Sequence, residues 1–314
     1  MGTFRHQVLI VFGLLWVLSH PALAQEKNGF DLSNALIPVN EILSGGPPRD
    51  GIPSIDEPKF EPASASLPWK KGDLMMTYDQ GQSHYAFPIG ILNWHEIVNH
   101  ESGGKPVLIS FCPLCGTGMA FDPVVDNREL TFGVSGLLYN SDLLMYDHQT
   151  ESLWSQIEGR AIAGPLAGNV LEPVAVRHEL WQKWRERAGD GGQVLSTDTG
   201  FRRNYRQPPY GDYDHSDRLY FPVSSTSREY HPKAWVLGWT HNGESKAWPF
   251  PELANHDDRV LEDSIGGKTV SVHYDPEVPS AELRDESGEL LPGTRAFWFA
   301  WYTFHPETSI FKAE

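Results

Sequence analysis

The chain has very few cysteines and little positive charge. Its 314 residues include only two cysteines, and 25 Lys and Arg face 41 Asp and Glu, for a net charge of −16 at pH 7. Two cysteines are too few for a disulfide framework. Such an acidic chain lacks the basic patches that bind phosphate backbones, and anionic lipid surfaces repel it. We therefore expect no nucleic-acid partner and no membrane association of the mature protein, and the sequence identifies no protein partner.

Several common catalytic motifs are also absent. The sequence contains no phosphate-binding loop, no dinucleotide fingerprint and no Gly-x-Ser-x-Gly elbow, which argues against nucleotide-dependent enzymes and ordinary serine hydrolases. Hydrophobic residues make up 40% of the chain, enough for a core, and 29 Gly and 24 Pro favour many short strands and turns over long helices.

The amino terminus has the layout of a secretory signal peptide. Arg5 and His6 precede an apolar run at residues 8–18, and the small-residue site at 22–24 reads Ala-Leu-Ala. The run is shorter than the ~20 apolar residues that span a bilayer. We therefore expect cleavage before Gln25 and export to the bacterial periplasm or beyond the cell. That compartment is oxidising, which bears on the state of the two cysteines.

Two segments of the chain resemble each other. Residues 78–113 and 240–276 share an aromatic-Pro pair (Phe87-Pro88 and Trp248-Pro249), a histidine (His95 and His256) and a Gly-Gly pair in the same order. Each segment predicts two strands, a helix that ends at the Gly-Gly pair, and a further strand, which in the first copy covers residues 107–111. The helix prediction in the first copy rests on Ile91, Trp94, His95 and Val98. A second helix is predicted at 176–187.

These patterns predict an α+β, mainly β protein, in which two related strand–strand–helix–strand halves share one core. The predicted organisation is a signal peptide at 1–24, an extended Pro/Gly-rich lead-in at 25–66, a first half with the cysteines at 67–165, a connecting segment with one helix at 166–230, and a second half without cysteines at 231–314.

The most specific motif is Cys-Pro-Leu-Cys-Gly at residues 112–116. Cys112 and Cys115 directly follow a predicted strand, as in the metal knuckles of rubredoxin-like and zinc-ribbon sites. Pro113 stiffens such a turn, and Gly116 permits the bend that directs backbone N–H groups at the sulfurs. A metal site with two thiolates needs one or two further ligands. Thiolates combined with His or Met suit copper, and thiolates combined with His also suit zinc.

Two other interpretations of the cysteine pair remain open. The pair can be a redox dithiol, although the Gly-Thr-Gly that follows Cys115 is a poor helix start for a thioredoxin-like site. Alternatively, Cys112 and Cys115 close a small structural disulfide in an oxidising compartment.

Candidates for additional ligands are His95 and Met119. His95 precedes the strand that leads to Cys112, so the fold can bring it back to the cysteine loop. Its counterpart His256 lies in a copy without cysteines, and a histidine shared by both copies also suits a structural role in the core. Met119 lies four residues after Cys115 and suits a soft ion, or the core. His95-Glu96 does not begin an H-E-x-x-H protease motif, because residue 99 is Asn.

Two polar segments complete the candidates. Residues 139–142 (Tyr-Asn-Ser-Asp) lie between two apolar runs and predict either a hairpin turn or a polar cluster beside the cysteine loop. Residues 196–205 carry Ser, Thr, Asp and two Arg, and they suit a hydrogen-bonded loop or a site for an anionic ligand.

Residues 87–122, 132–156 and 195–205 together resemble the bacterial domain of unknown function 3179 family, with similarity over about 70–310. The resemblance implies export and a shared Cys-Pro-x-Cys-Gly loop, and it carries over no activity. The family pattern leads us to expect an Asp at the position of His100, so the resemblance does not support a ligand role for His100.

The sequence therefore predicts an exported protein that binds copper or zinc through Cys112 and Cys115, with His95 or Met119 as a further ligand. Such a protein would be a carrier or a metalloenzyme. The alternatives are a thiol-disulfide redox protein and a structural disulfide, and no catalytic residue is assigned.

Overall fold

The structure is a computed structural model that describes residues 25–278 and 280–313. The predicted signal peptide at 1–24 lies outside these residues. Over the described residues the chain forms 26 strands and four α-helices. No helix in this part of the chain is long and apolar enough to cross a membrane.

The strands, in chain order, are β1 (Glu26–Lys27), β2 (Phe30–Asp31), β3 (Ile42–Ser44), β4 (Phe60–Pro62), β5 (Leu74–Gln80), β6 (Ser83–Pro88), β7 (Ile97–Ser102), β8 (Lys105–Cys112), β9 (Thr117–Asp122), β10 (Val124–Val125), β11 (Arg128–Glu129), β12 (Phe132–Tyr139), β13 (Asp142–Asp147), β14 (Leu153–Ser155), β15 (Arg160–Ala163), β16 (Glu172–Val174), β17 (Arg177–Leu180), β18 (Gly192–Leu195), β19 (Trp235–His241), β20 (Glu244–Pro249), β21 (Val260–Ile265), β22 (Lys268–Asp275), β23 (Ser280–Asp285), β24 (Leu290–Leu291), β25 (Thr294–Phe297) and β26 (Ser309–Ile310). The helices are α1 (Ile89–His95), α2 (Trp181–Ala188), α3 (Phe250–Asn255) and α4 (Trp298–Phe304), with single 3-10 turns at Val39–Glu41, Gly189–Gly191 and Tyr213–His215.

Five sheets of four or five strands are arranged as the blades of a five-bladed β-propeller. Blade 1 has the strand order β17-β5-β6-β18-β4, blade 2 β16-β9-β8-β7, blade 3 β15-β14-β13-β12-β3, blade 4 β25-β19-β20-β26 and blade 5 β21-β22-β23-β24. Strand pairs are antiparallel except β6–β18 and β20–β26. Strand β7 contacts β12 of blade 3, and β9 contacts β25 of blade 4, so blade 2 lies against both.

The prediction of two related strand–strand–helix–strand halves around one core is wrong. Only 13% of the structure is helical, and most of its strands form five blades. Each of the two similar segments spans two blades, because the hairpin before its helix and the hairpin after it belong to different sheets. The buried hydrophobic residues form four separate clusters.

The local reason for this error is the short first helix. Helix α1 ends at His95, and Val98, whose spacing suggested a helix, lies in β7. The Gly103-Gly104 pair has φ angles of +56° and +80° and forms the β7–β8 turn, so it does not end a helix. Gly adopts these angles at little cost, which makes it a hairpin-turn residue as well as a helix stop.

The other two local predictions have mixed outcomes. The strand predicted at 107–111 lies within β8. The helix predicted at 176–187 begins only at Trp181, because Arg177–Leu180 pairs with β5 as a strand.

Candidate metal centre

The two cysteines flank a tight turn between β8 and β9 of blade 2. Cys112, the last residue of β8, pairs with Thr117, the first residue of β9. The backbone N–H of Cys115 donates to the carbonyl oxygen of Cys112 across 3.2 Å. Both thiols are free and almost completely buried. The turn therefore brings two reduced sulfurs together inside the protein.

A second hairpin, from blade 3, meets this turn. Asn140 and Ser141 join β12 to β13 with φ angles of +52° and +67°, a conformation that suits a two-residue hairpin turn. The Cys115 thiol donates to the carbonyl oxygen of Ser141 across 3.4 Å. Asp142, the next residue, is buried and accepts a hydrogen bond of 3.1 Å from the backbone N–H of Ile157. Residues 139–142 thus form both a hairpin turn and a polar group beside the cysteines.

Two sulfurs and one carboxylate form a group that can hold a metal ion. One ligand atom from each of Cys112, Cys115 and Asp142 lies within 4.8 Å of the other two. The Oδ1 atom of Asp142 is buried without a hydrogen-bond partner among the described residues. Buried polar atoms in native proteins are almost always satisfied, so this carboxylate oxygen, beside two thiols, is suited to bind a cation.

A second buried carboxyl group lies near this group. Glu96 follows α1 with a φ of +59°, an uncommon conformation for a residue with a side chain. Its carbonyl oxygen accepts a 2.7 Å hydrogen bond from the backbone N–H of Phe111, on the strand that ends in Cys112. Glu96 and Cys112 both line a small cavity of about 30 Å³. A space of this size can hold one water molecule or ion.

Burial raises the pKa of each of these groups. It raises the pKa of Glu96 to about 8, and the charge of Asp142 adds to this effect. Burial also raises the pKa of Asp142 to about 7, although backbone and thiol hydrogen bonds oppose the shift. It raises the pKa of both cysteine thiols as well. At neutral pH and without a metal ion, Glu96 is therefore mainly protonated and Asp142 about half protonated, and a bound cation would replace the protons of its ligands.

Hydrogen bonds from neighbouring elements fix the turn. The side chain of Gln156 accepts from the Thr117 hydroxyl at 2.6 Å and donates to the Ser110 hydroxyl at 3.0 Å. The backbone N–H of Phe297, in blade 4, donates to the carbonyl oxygen of Cys115 at 2.8 Å. Three blades thus hold the two cysteines, and such outer contacts orient the ligands of metal sites.

Gly116 is required in this turn for two reasons. Its φ of +66° disfavours a side chain, and a Cβ at this position would lie 2.5 Å from the ring of Trp235. The closing glycine of the motif therefore allows Trp235 to pack directly on the cysteine turn.

The structure places His95 in a different environment from the cysteines. Its Nδ1 lies 2.8 Å from the carbonyl oxygen of Pro53, and its Nε2 lies 2.8 Å from the hydroxyl of Tyr205. Both ring nitrogens are thus engaged, and the ring is buried. The group that can hold a metal contains Asp142 in place of His95. A ligand role for His95 stays a prediction that these contacts do not favour.

Met119 lies closer to the motif. It is buried on β9 opposite Ser110, in the same hydrophobic cluster as both cysteines. Its neighbours suit a core residue, and its role as a ligand also stays a prediction.

Sequence reasoning did not select Asp142 or Glu96 as site residues. The signal for Asp142 was its position in a polar segment between two apolar runs. Glu96 was considered only as part of an H-E-x-x-H pattern. Neither spacing along the chain nor helical periodicity links these residues to the cysteine pair.

The fold and the site define a β-propeller with a buried Cys–Cys–Asp group at the meeting point of two hairpins. The chain belongs to the family described as protein of unknown function (DUF3179), whose profile matches residues 49–308. That match includes all three residues of the group. No curated protein and no solved structure matches the chain.

Proposed function

We propose that this protein binds a transition metal ion, with zinc as the preferred ion, through Cys112, Cys115 and Asp142. The observation that carries the proposal is the convergence of these three buried ligand groups within 4.8 Å of one another. Thiolate and carboxylate are both zinc ligands.

The donor set favours zinc over copper. Copper(I) prefers soft thiolate and thioether sulfur, and a carboxylate oxygen adds little to such a site. A divalent ion also balances more of the charge that two thiolates and one carboxylate would carry. A water molecule can complete four-coordination, and a site with three protein ligands and one open position suits a catalytic ion as well as a carried one.

Metal content of purified variants tests the proposal. Protein purified under reducing conditions with zinc should hold about one equivalent by elemental analysis. Cys112→Ser and Cys115→Ser should each abolish tight binding, and Asp142→Asn should weaken it about tenfold or more. The matched control is Asp147→Asn, since Asp147 is the buried aspartate at the other end of β13 and accepts hydrogen bonds from Thr150 and Trp154.

The control should keep the zinc content of the wild type, whatever its stability. Wild-type protein that binds no metal, or zinc content that is the same in all variants, would refute the proposal. Preference for copper over zinc in a competition experiment would correct the choice of ion.

A second candidate function is thiol-disulfide exchange, and the position of Asp142 favours it. A buried carboxyl group with a pKa near 7 beside Cys115 is suited to accept the thiol proton. A disulfide of a partner protein would be reduced to two thiols while the Cys112–Cys115 bond forms. Burial of both thiols opposes this function, because reactive cysteines are usually accessible and have a lowered pKa.

A further inference from the structure

A separate cavity of about 190 Å³ lies against the cysteine turn. Pro113 and Gly116 line this cavity, whereas Cys112 and Leu114 line the small one beside Glu96. An engineered apolar cavity of about 150 Å³ in another protein binds benzene. The cavity beside the turn therefore has room for one aromatic ring with a small substituent.

The walls of this cavity are largely apolar and aromatic. Trp235 and Phe297 lie side by side, with ring centroids 4.2 Å apart. The other apolar lining residues are Leu74, Ile89, Phe111, Pro113 and Pro208. Such walls favour a planar apolar body and give aromatic ligands additional stacking contacts.

Two polar side chains in the lining suit an anion. Arg295 is 3% exposed, and its guanidinium lies 3.4 Å from the ring centroid of Trp235. Burial lowers its pKa to about 9, so the guanidinium is still mainly cationic at neutral pH. Tyr213 is 4% exposed, and its buried hydroxyl proton has no acceptor among the described residues. A guanidinium and a hydroxyl are the donors that proteins use to bind carboxylates.

The cavity opens along one segment. Pro208, Gly211 and Asp214 line it and are exposed, so a ligand can enter from that side. The negative charge of Asp214 lies in water at this opening, where salt screens it, whereas Arg295 is buried. An anionic group is therefore more stable at the Arg295 end of the cavity than at its opening.

We propose that this cavity binds a small aromatic carboxylate, with the ring against Trp235 and Phe297 and the carboxylate directed to Arg295 and Tyr213. The proposal does not depend on metal binding, because neither thiol lines the cavity.

Calorimetric titration with benzoate tests this site. We expect benzoate to bind the wild type and to bind about tenfold more tightly than benzyl alcohol, which has the same ring without the charge. Arg295→Gln should weaken benzoate binding by about tenfold or more, and Tyr213→Phe by about threefold. The matched control is Arg49→Gln, since Arg49 also stacks on an aromatic ring, 4.3 Å from the centroid of Tyr146, but lies elsewhere.

Two further variants keep the test decisive. Arg295 is buried, and its replacement can unfold the protein, whereas Ile89→Phe fills the cavity from its wall and should block benzoate in a folded protein. Cys112→Ser should bind benzoate like the wild type, which separates this proposal from metal binding. No benzoate binding by the wild type at about 10 mM, or equal binding by the wild type, Tyr213→Phe and Ile89→Phe, would overturn it.

Discussion

The Cys115 thiol donates a hydrogen bond to the carbonyl oxygen of Ser141 across 3.4 Å. This contact joins the turn of blade 2 to the hairpin of blade 3 and places Asp142 beside both sulfurs. The candidate metal centre is therefore a product of blade packing, and its properties can be tested through that packing.

The first prediction concerns thiol reactivity. Both cysteines are almost fully buried, and burial raises the pKa of each thiol. We expect iodoacetamide to modify neither cysteine of the native, metal-free protein on a timescale of minutes and to modify both in denaturant. Mass spectrometry of timed samples measures the modification. Rapid modification of one native cysteine would favour thiol-disulfide exchange over metal binding.

The second prediction concerns stability and pH. The pKa of Glu96 is raised from 4.5 to about 8 by burial, and that of Asp142 from 3.8 to about 7. At these two groups the folded state therefore binds more protons than the unfolded state from about pH 4 to pH 8. Their contribution to the free energy of unfolding consequently falls as pH rises through this window. Urea unfolding of the metal-free protein at a series of pH values measures this fall.

Glu96→Gln should make that fall shallower than in the wild type. The comparison with the wild type is needed because buried His100 and half-buried His305, whose pKa values are lowered to about 4, destabilise the folded state as pH falls below about 6.5. Glu101→Gln, at an exposed residue of β7, is the control and should keep the wild-type profile. A Glu96→Gln profile with the wild-type slope would contradict the assigned burial effect.

The third prediction separates two roles of His95. Its ring is hydrogen-bonded to Pro53 and Tyr205. His95→Ala removes both bonds and leaves a cavity, so we expect a loss of about 2–4 kcal/mol in the free energy of unfolding. Zinc content should stay at the wild-type value. Loss of zinc from a folded His95→Ala protein would restore His95 as a ligand.

His256→Ala is the control for that measurement. His256 occupies the corresponding position after α3, where it is only partly buried. We expect a cost below about 1 kcal/mol.

The fourth prediction concerns packing in blade 4. A Cβ on Gly238 would lie 2.3 Å from the indole of Trp301, which is 2% exposed. Gly238→Ala should therefore destabilise the protein by about 1–3 kcal/mol. The control is Gly72→Ala, because no atom lies within 4 Å of the added methyl group, and its effect should stay within about 0.5 kcal/mol. Thermal or urea unfolding measures both, and equal stabilities would contradict the packing assigned to Trp301.

The sequence alone was sufficient for several local features. The run of β-forming residues at 107–111 predicted a strand that lies within β8. The spacing of Cys112 and Cys115 predicted two sulfurs on one turn, which requires only local geometry. A hairpin turn was one of two interpretations of the polar segment at 139–142, and the structure has that turn. Each of these depends on residues that are close in the chain.

Tertiary structure decided the blades and the composition of the site. The order of strands and helices was compatible with two halves, and only the pairing of strands in the folded chain produced the five sheets of four or five strands. Asp142 and Glu96 join the cysteines because separate elements pack together, and chain spacing carries no information about such contacts. The raised pKa values of Asp142 and Glu96 have the same origin. Burial removes water from around a carboxyl group, and which segments of the chain bury it is decided by the whole fold.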